Sequence, residues 1–368
     1  MTATPAAPSE ADVFDALTSV VDPELGRSLT ECGMVRGVVV RPDRVDVALV
    51  LATAGHPHGE DIRRSVGAAV SALGVAEVVV DVTVMNDQDR TRLRRHLQGD
   101  RPDPATVFAG TRIFAVASGK GGVGKSSIAS NLAVSMARAG RSVALMDADI
   151  WGFSIPRMMG ITRRPIIIDG LLVPLEAHGV RVMSVGMLTE ESAPVIWRGP
   201  MMHKMLEQFV VDVFWERPEI LVVDMPPGTG DVSLSLSRLL PDASVLIVTT
   251  PQPAAQRVAQ RAAYMARQVK LPVAGVVENM SWFTSNDGER HELFGAGGGA
   301  LLASDLDVEL FGQIPLVPAV REGADRGLPV VLQDPHSEAA RALDAVAGRL
   351  LELAPTRVRS AQLRVTGA

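Results

Sequence analysis

Residues 117–127 read ASGKGGVGKSS, a run of Gly, Ala, Val and Ser broken by two lysines, Lys120 and Lys125. The pattern G-x-x-x-x-G-K-[ST] is met from Gly119 through Gly124, Lys125 and Ser126. An apolar run, RIFAVAS (112–118), precedes it and an amphipathic run follows, so the context is strand, loop, helix. In that context glycines let backbone amides turn inward around a β-phosphate, and the helix N-terminus adds positive potential. Lys125 then neutralises β/γ charge, and the Ser126 hydroxyl is placed to ligate Mg2+. The stretch predicts an ATP contact surface of Gly119, Lys120, Gly121, Gly122, Val123, Gly124, Lys125, Ser126 and Ser127. It leaves open why a second lysine, Lys120, is present.

A Mg2+-nucleotide site also needs acidic groups at strand ends. ILVVDMPPGTGD supplies Asp224, expected to hold Mg2+ through water, and Gly228, whose amide is expected to sense the γ-phosphate. VALMDADIWG ends another strand with Asp147 and Asp149, which share the carboxyl edge where open α/β sheets bind ligands. One of the two is expected to orient the attacking water.

Outward from the loop, apolar runs alternate with longer amphipathic segments: RIFAVAS, RSVALMD, VRVMSVGM, EILVVDM, SVLIVTT, PVAGVVENM and FGQIPL. Near-continuous Val, Ile and Leu separated by helices predict an α/β fold, a doubly wound, mostly parallel sheet covered on both faces, over 111–353. Before it, residues 10–97 predict a small α+β domain. It holds a helix, a hairpin of MVRGVVV and RVDVALVL joined at RPD, a helix, the alternating strand AEVVVDVTV and a charged helix. Residues 98–110, rich in Pro, Gly and Asp, read as a linker, and 1–9 and 354–368 read as tails.

The chain of 368 residues carries a net charge of −6, with 47% hydrophobic and 21% charged residues, which excludes disorder. That balance offers no long-range attraction to nucleic acid or an acidic membrane, and no apolar run approaches the ~20 residues a bilayer span needs. The first ten residues lack a basic, then apolar, signal pattern, so a cytoplasmic protein is expected. Lysine is scarce, four against 32 arginines, and half of the lysines lie in the opening stretch. Cys32 is the single cysteine, which excludes a disulfide framework and any intrachain cysteine cluster.

KGGVGK resembles the deviant Walker A motif of the P-loop ATPases that include ParA, MinD, the nitrogenase iron protein and Mrp. The resemblance implies that Lys120 is the signature lysine, which reaches the partner's nucleotide when two subunits close face to face. Its logic is that of an arginine finger in trans, tying hydrolysis to assembly. SGKGGVGKSS, DADIWGFSIPRMMG, VIWRGPM, VDMPPGTGD, TTPQ, VVENMSWF, ELFGAGGG and GQIPL together resemble the Mrp/ApbC iron–sulfur cluster carriers. DPELGRSLTECGMVRGV and AEVVVDVTV resemble the small domain, related to metal–sulfur cluster assembly factors, that precedes the ATPase in many bacterial members. By the same resemblance Asn279 contacts adenine, with the backbone around Pro315 on the other side of the base.

Those carriers usually have C-x-x-C after VENMS, giving a [4Fe–4S] cluster bridging the dimer. Here Ser285, Asn286, Asp287 and Gly288 stand in that region, a good turn and a poor iron–sulfur ligand set. No iron–sulfur ligands are assigned, and the cluster rests on the resemblance alone. The small domain has TAGHPHGED where members often carry Cys-Pro, and His56 and His58 read as ordinary loop histidines. His291 reads as a surface residue. The expected function is a Mg2+-dependent, homodimeric ATPase serving apo iron–sulfur proteins or other assembly factors, with no membrane or nucleic-acid partner. The alternative is a ParA/MinD-like switch that positions cargo on DNA or membrane, which accounts for Lys120 equally well. Electron transfer fails for lack of interface cysteines, and a small-molecule kinase leaves Lys120 unexplained.

Overall fold

The computed structural model describes residues 7–150, 152–188, 199–228 and 230–353. The C-terminal tail, most of the N-terminal one, Trp151, Thr229 and most of VIWRGPM lie outside the described residues. Contacts divide the chain into two compact units.

The first unit begins at α1 (Glu10–Thr18), where Ser9 and Asp12 cap each other reciprocally and Val13 and Leu17, four apart, face inward. β1 (Val35–Val40) and β2 (Arg44–Leu51) form an antiparallel pair. α2 (Gly59–Ser71) then returns the chain so that β3 (Glu77–Val84) lies parallel to β2. Val45, Val47 and Leu49 of β2 are buried at period two, and Ile62, Val66 and Val70 of α2 at period four. α3 (Asp87–Gln98) starts at Asn86, whose side chain accepts from Asp89 N. This unit runs to Pro102 and also takes in 165–173 and 212–214 from far along the chain. Ile168 and Val173 are fully buried in the same core as Val13 and Leu17. Leu172 N donates to Asp212 O at 2.8 Å, and Phe214 N to Leu172 O at 2.9 Å.

In the second unit, β4 (Arg112–Ser118), α4 (Lys125–Arg138) and β5 (Val143–Asp147) lead into a short antiparallel excursion, β6 (Leu175–Ala177) and β7 (Val180–Ser184). There follow α5 (Gly199–Val211), β8 (Ile220–Asp224), α6 (Asp231–Leu239), β9 (Ser244–Thr249), α7 (Pro253–Gln268) and β10 (Val273–Asn279). A small hairpin, β11 (Phe283–Thr284) with β12 (Arg290–His291), precedes α8 (Gly298–Asp305), β13 (Leu310–Ile314), α9 (Pro318–Arg326) and α10 (Glu338–Glu352). The sheet order is β6-β7-β5-β8-β4-β9-β10-β13, parallel except for β6. Every residue of β5 and β8 is buried, because helices cover both faces. This is the doubly wound, mostly parallel sheet that the strand pattern predicts, preceded by a small α+β unit. β4 lies between β8 and β9, so its carboxyl end opens at the point where successive connections leave in opposite directions. The Arg112 guanidinium closes the unit by donating to the carbonyls of Leu351 and Leu353 at 2.9 and 2.8 Å, which satisfies the end of α10. Among the described residues no helix is long and apolar enough to cross a membrane.

Candidate functional site

The loop between β4 and α4 wraps the mouth of a cleft of about 520 Å3 lined by Lys120, the glycines 121, 122 and 124, Lys125, Ser126, Asp149 and Pro226. Gly124, just before α4, has φ +83°, and a Cβ there would overlap the Asn279 amide, so glycine is required on two counts. Asn279 Nδ2 donates to Val123 O at 2.8 Å and ties the loop to the end of β10. Register places Asn279 opposite Ile314, which brings Pro315 to the same edge. Gly228, at φ +90°, donates its amide to Ser118 O at 2.8 Å, so a phosphate at this edge competes with that carbonyl.

Lys125 and Asp149 line the cleft, and the carboxyls of Asp224 and Asp147 lie buried behind them. Lys125 Nζ donates to Asp224 Oδ1 at 2.6 Å and lies 3.6 Å from Asp149 Oδ2, while Ser126 Oγ donates to Asp224 Oδ2 at 2.6 Å. Asp224 is wholly buried, and burial raises its pKa against the opposing pull of Lys125 and Ser126. Asp147 is equally enclosed, and burial, followed by the Asp224 charge, pushes its carboxyl up to about 8. Asp224 and Asp149, at 2.6 and 3.6 Å from the Lys125 ammonium, present oxygens of the kind a divalent, oxygen-preferring cation takes. Ser126 and Asp224 are hard oxygen donors and fit Mg2+ in that respect. Among the described residues no group of three or more His, Cys, Asp or Glu is arranged to hold a metal. A Mg2+ ion bound through one hydroxyl, waters and phosphate oxygens needs no such group.

The two aspartates of DAD separate by environment. Asp147 accepts from Ser184 Oγ at 2.8 Å and from Asp149 N at 3.1 Å, so both of its oxygens face protein. Asp149 lines the cleft, with Oδ1 accepting from Gly152 N at 3.2 Å. Sequence reading does not single out Ser184, which lies opposite Asp147 only because β7 pairs with β5 in parallel register.

The region expected to carry thiolates in the carriers is the turn of the β11–β12 hairpin. Ser285 Oγ donates to Glu289 O at 3.0 Å and lies 3.1 Å from His291 Nε2, and Gly288 takes φ +87°. His291 is thus half-buried and engaged rather than a plain surface residue. The expectation of ordinary loop histidines also fails at His56. Its side chain is fully buried, with Nε2 3.4 Å from Asp22 Oδ2, and His58 Nε2 lies 3.1 Å from Glu24 Oε1. The cause is that the DPE turn folds beneath the HPH segment, and Asp22 Oδ1 takes the amides of Glu24 and Leu25 while Oδ2 faces the ring. Cys32 is 5% exposed, and burial pushes its thiol up to about 12.

A family model described as a NUBPL iron-transfer P-loop NTPase matches residues 110–351. A second, described as an iron–sulfur cluster assembly protein, matches 10–84. The chain is 47% identical over 352 residues to the iron–sulfur cluster carrier protein of Mycobacterium bovis, covering 92% of each. It is 41% identical to the carrier protein of Bacillus subtilis, covering 83% of this chain and 88% of that one. Among solved structures it is similar to a nucleotide-binding protein of Archaeoglobus fulgidus in complex with ADP. That match has 32% identity and a TM-score of 0.54, covering 69% of this chain and 95% of the other. The septum site-determining protein MinD of Pyrococcus horikoshii, complexed with Mg-ADP, shares the fold at 21% identity and a TM-score of 0.50, covering 66% of this chain and 96% of that one.

Proposed function

The chain belongs to the NUBPL iron-transfer P-loop NTPases, and on that footing we propose that it is a Mg2+-dependent ATPase acting as a homodimer in the transfer of iron–sulfur clusters to apo-proteins. The observation that carries this reading is convergence from three separate strand ends: Lys125, Ser126 and Asp149 line one cleft with Lys120, and the buried Asp224 lies behind them, bonded to Lys125 and Ser126. In the proposed mechanism ATP lies along Gly119–Ser127, with the loop amides on its phosphates. Lys125 exchanges Asp224 for the β- and γ-oxygens, so a buried ion pair becomes a phosphate contact. Ser126 would hold Mg2+ directly and Asp224 through water, and the ion would offset phosphate charge. Asp149 orients the attacking water, because it is the aspartate of the pair that faces the cleft, and Asp147 fixes the Asp149 backbone. Gly228 senses the γ-phosphate, and Asn279 and Pro315 flank adenine. Lys120 acts on the partner subunit's nucleotide, so turnover follows closure.

The cluster is cargo. The turn at 285–288 offers oxygen donors, and the Cys32 thiol is buried and protonated, so the thiolates come from the recipient or from a small thiol. ATP closure then times the handover.

Anaerobic incubation with iron, sulfide and Mg-ATP, with and without an apo-protein acceptor, tests this. The expected result is ATP hydrolysis, no stoichiometric iron on the chain alone, and faster acceptor loading with ATP. Stoichiometric iron and sulfide on the chain alone overturns the ligand assignment, and absence of hydrolysis overturns the ATPase. ATP-dependent co-sedimentation with DNA or liposomes moves the reading to the ParA/MinD-like switch.

A further inference from the structure

Lys120 Nζ donates to Gln252 Oε1 at 3.2 Å, which ties the first lysine of the loop to the start of α7, 132 residues away. Gln252 is the residue before Pro253, at the N-cap position in extended backbone (φ −60°, ψ 131°), and its side chain makes no capping bond. Its amide oxygen serves the lysine instead. The main chain on the other side of the contact is fixed. Ser118 Oγ donates to Lys120 O at 3.0 Å, and Gly119 packs so close to α7 that a Cβ would overlap the backbone of Val258 and Ala259. With the loop held at both points, the swing available to Lys120 is that of its side chain.

The hold is weak by its chemistry. A neutral amide accepts from a cation, and the N-terminal end of α7 carries partial positive charge that disfavours an ammonium there. Both side chains are partly exposed, so water competes for the contact. Yet the contact spends one of three ammonium protons on protein rather than on a phosphate, in a residue that lines the nucleotide cleft.

We propose that Gln252 is a positioning residue that parks Lys120 in its own subunit until the second subunit closes, so that an isolated chain does not hydrolyse ATP with its own signature lysine. This rests on the reading that Lys120 acts on the partner's nucleotide. A weak, neutral acceptor is what such a device requires, since a carboxylate in its place would hold the lysine against the partner's phosphates.

The test compares Gln252→Glu and Gln252→Ala in the full chain, by specific ATPase activity against protein concentration and salt, with ATP affinity measured separately. Gln252→Glu replaces an amide dipole by a full negative charge and makes a partly exposed ion pair with Lys120, so it is expected to lower kcat about two- to fivefold with KM unchanged within about twofold. Salt weakens that ion pair, so the loss shrinks as salt rises. Gln252→Ala is expected to raise turnover at dilute protein and flatten its dependence on concentration. In a Lys120→Ala background neither substitution at 252 has a further effect, whereas a merely structural role for Gln252 would still show. If Gln252→Glu leaves kcat and its salt dependence unchanged while Lys120→Ala abolishes concentration-dependent turnover, the parking role is overturned and the trans reading stands. If Lys120→Ala retains that turnover, the trans reading falls and the parking role with it.

Discussion

At the scale of single residues, the two lysines of the P-loop differ in what each touches. Lys125 is 6% exposed and bound to Asp224, whereas Lys120 is partly exposed and its ammonium donates to the Gln252 amide. Lys125→Ala is expected to lower ATP affinity about 10- to 100-fold, the range of a lost charged hydrogen bond, and turnover with it, as isothermal titration and a phosphate-release assay would register. Lys120→Ala is expected to keep affinity within about threefold and to lose the rise of turnover with protein concentration; matched loss of binding in both variants would contradict separate roles. Asp149→Asn, which keeps the shape and removes the base, is expected to lower kcat on the order of 10²- to 10⁴-fold with binding retained. Cys32 gives a pH prediction. With its thiol near 12, roughly one molecule in 10⁴ is thiolate at pH 8, so alkylation of the native chain is slow and quickens about tenfold per pH unit above that. Fast native labelling at pH 8, comparable to that in denaturant, would refute a buried, protonated thiol. The P-loop residues, the Asp147/Asp149 pair and Asp224 are legible in the sequence because a motif and strand ends mark them. Ser184 and the Asp22–His56 contact are not, since nothing local in either segment reports its partner.

At the scale of elements, the site depends on how closely the P-loop and α7 approach. Gly119 sits against the helix backbone, and neither backbone can give way as a side-chain tip could. Gly119→Ala is therefore expected to cost about 3 kcal/mol, which in a unit of this size lowers the thermal midpoint by roughly 6–12 °C. Calorimetry checks this, and an unchanged midpoint would mean that α7 stands further off than the contact implies. The apolar runs predicted the parallel strands well because period and composition are local properties. The short antiparallel strand β6 is not legible in the sequence, and of the β11–β12 hairpin only the turn at Ser285–Gly288 is. Elements of two or three residues carry too little pattern to rise above their surroundings.

At the scale of the whole molecule, the first unit is discontinuous. Its core includes Ile166, Ile168 and Val173, which the chain delivers from within the stretch read as a single ATPase domain. A fragment of residues 1–110 lacks these side chains, each worth about 1.5–3 kcal/mol of burial. It is expected to show weaker hydrogen-exchange protection in β1–β3 than the intact chain, and equal protection would show that the borrowed segment is dispensable. Local information in the sequence was sufficient for the fold class, the phosphate loop and the lack of any cysteine pair, because glycine spacing, apolar periodicity and the cysteine count need no knowledge of distant residues. Which aspartate faces the cleft, where Lys120 rests and which remote segment completes the small core depend on strand order, register and helix approach. Those are set by long-range packing, and only the folded chain brings Asp147 to Ser184, Lys120 to Gln252 and Val173 to Val13's core.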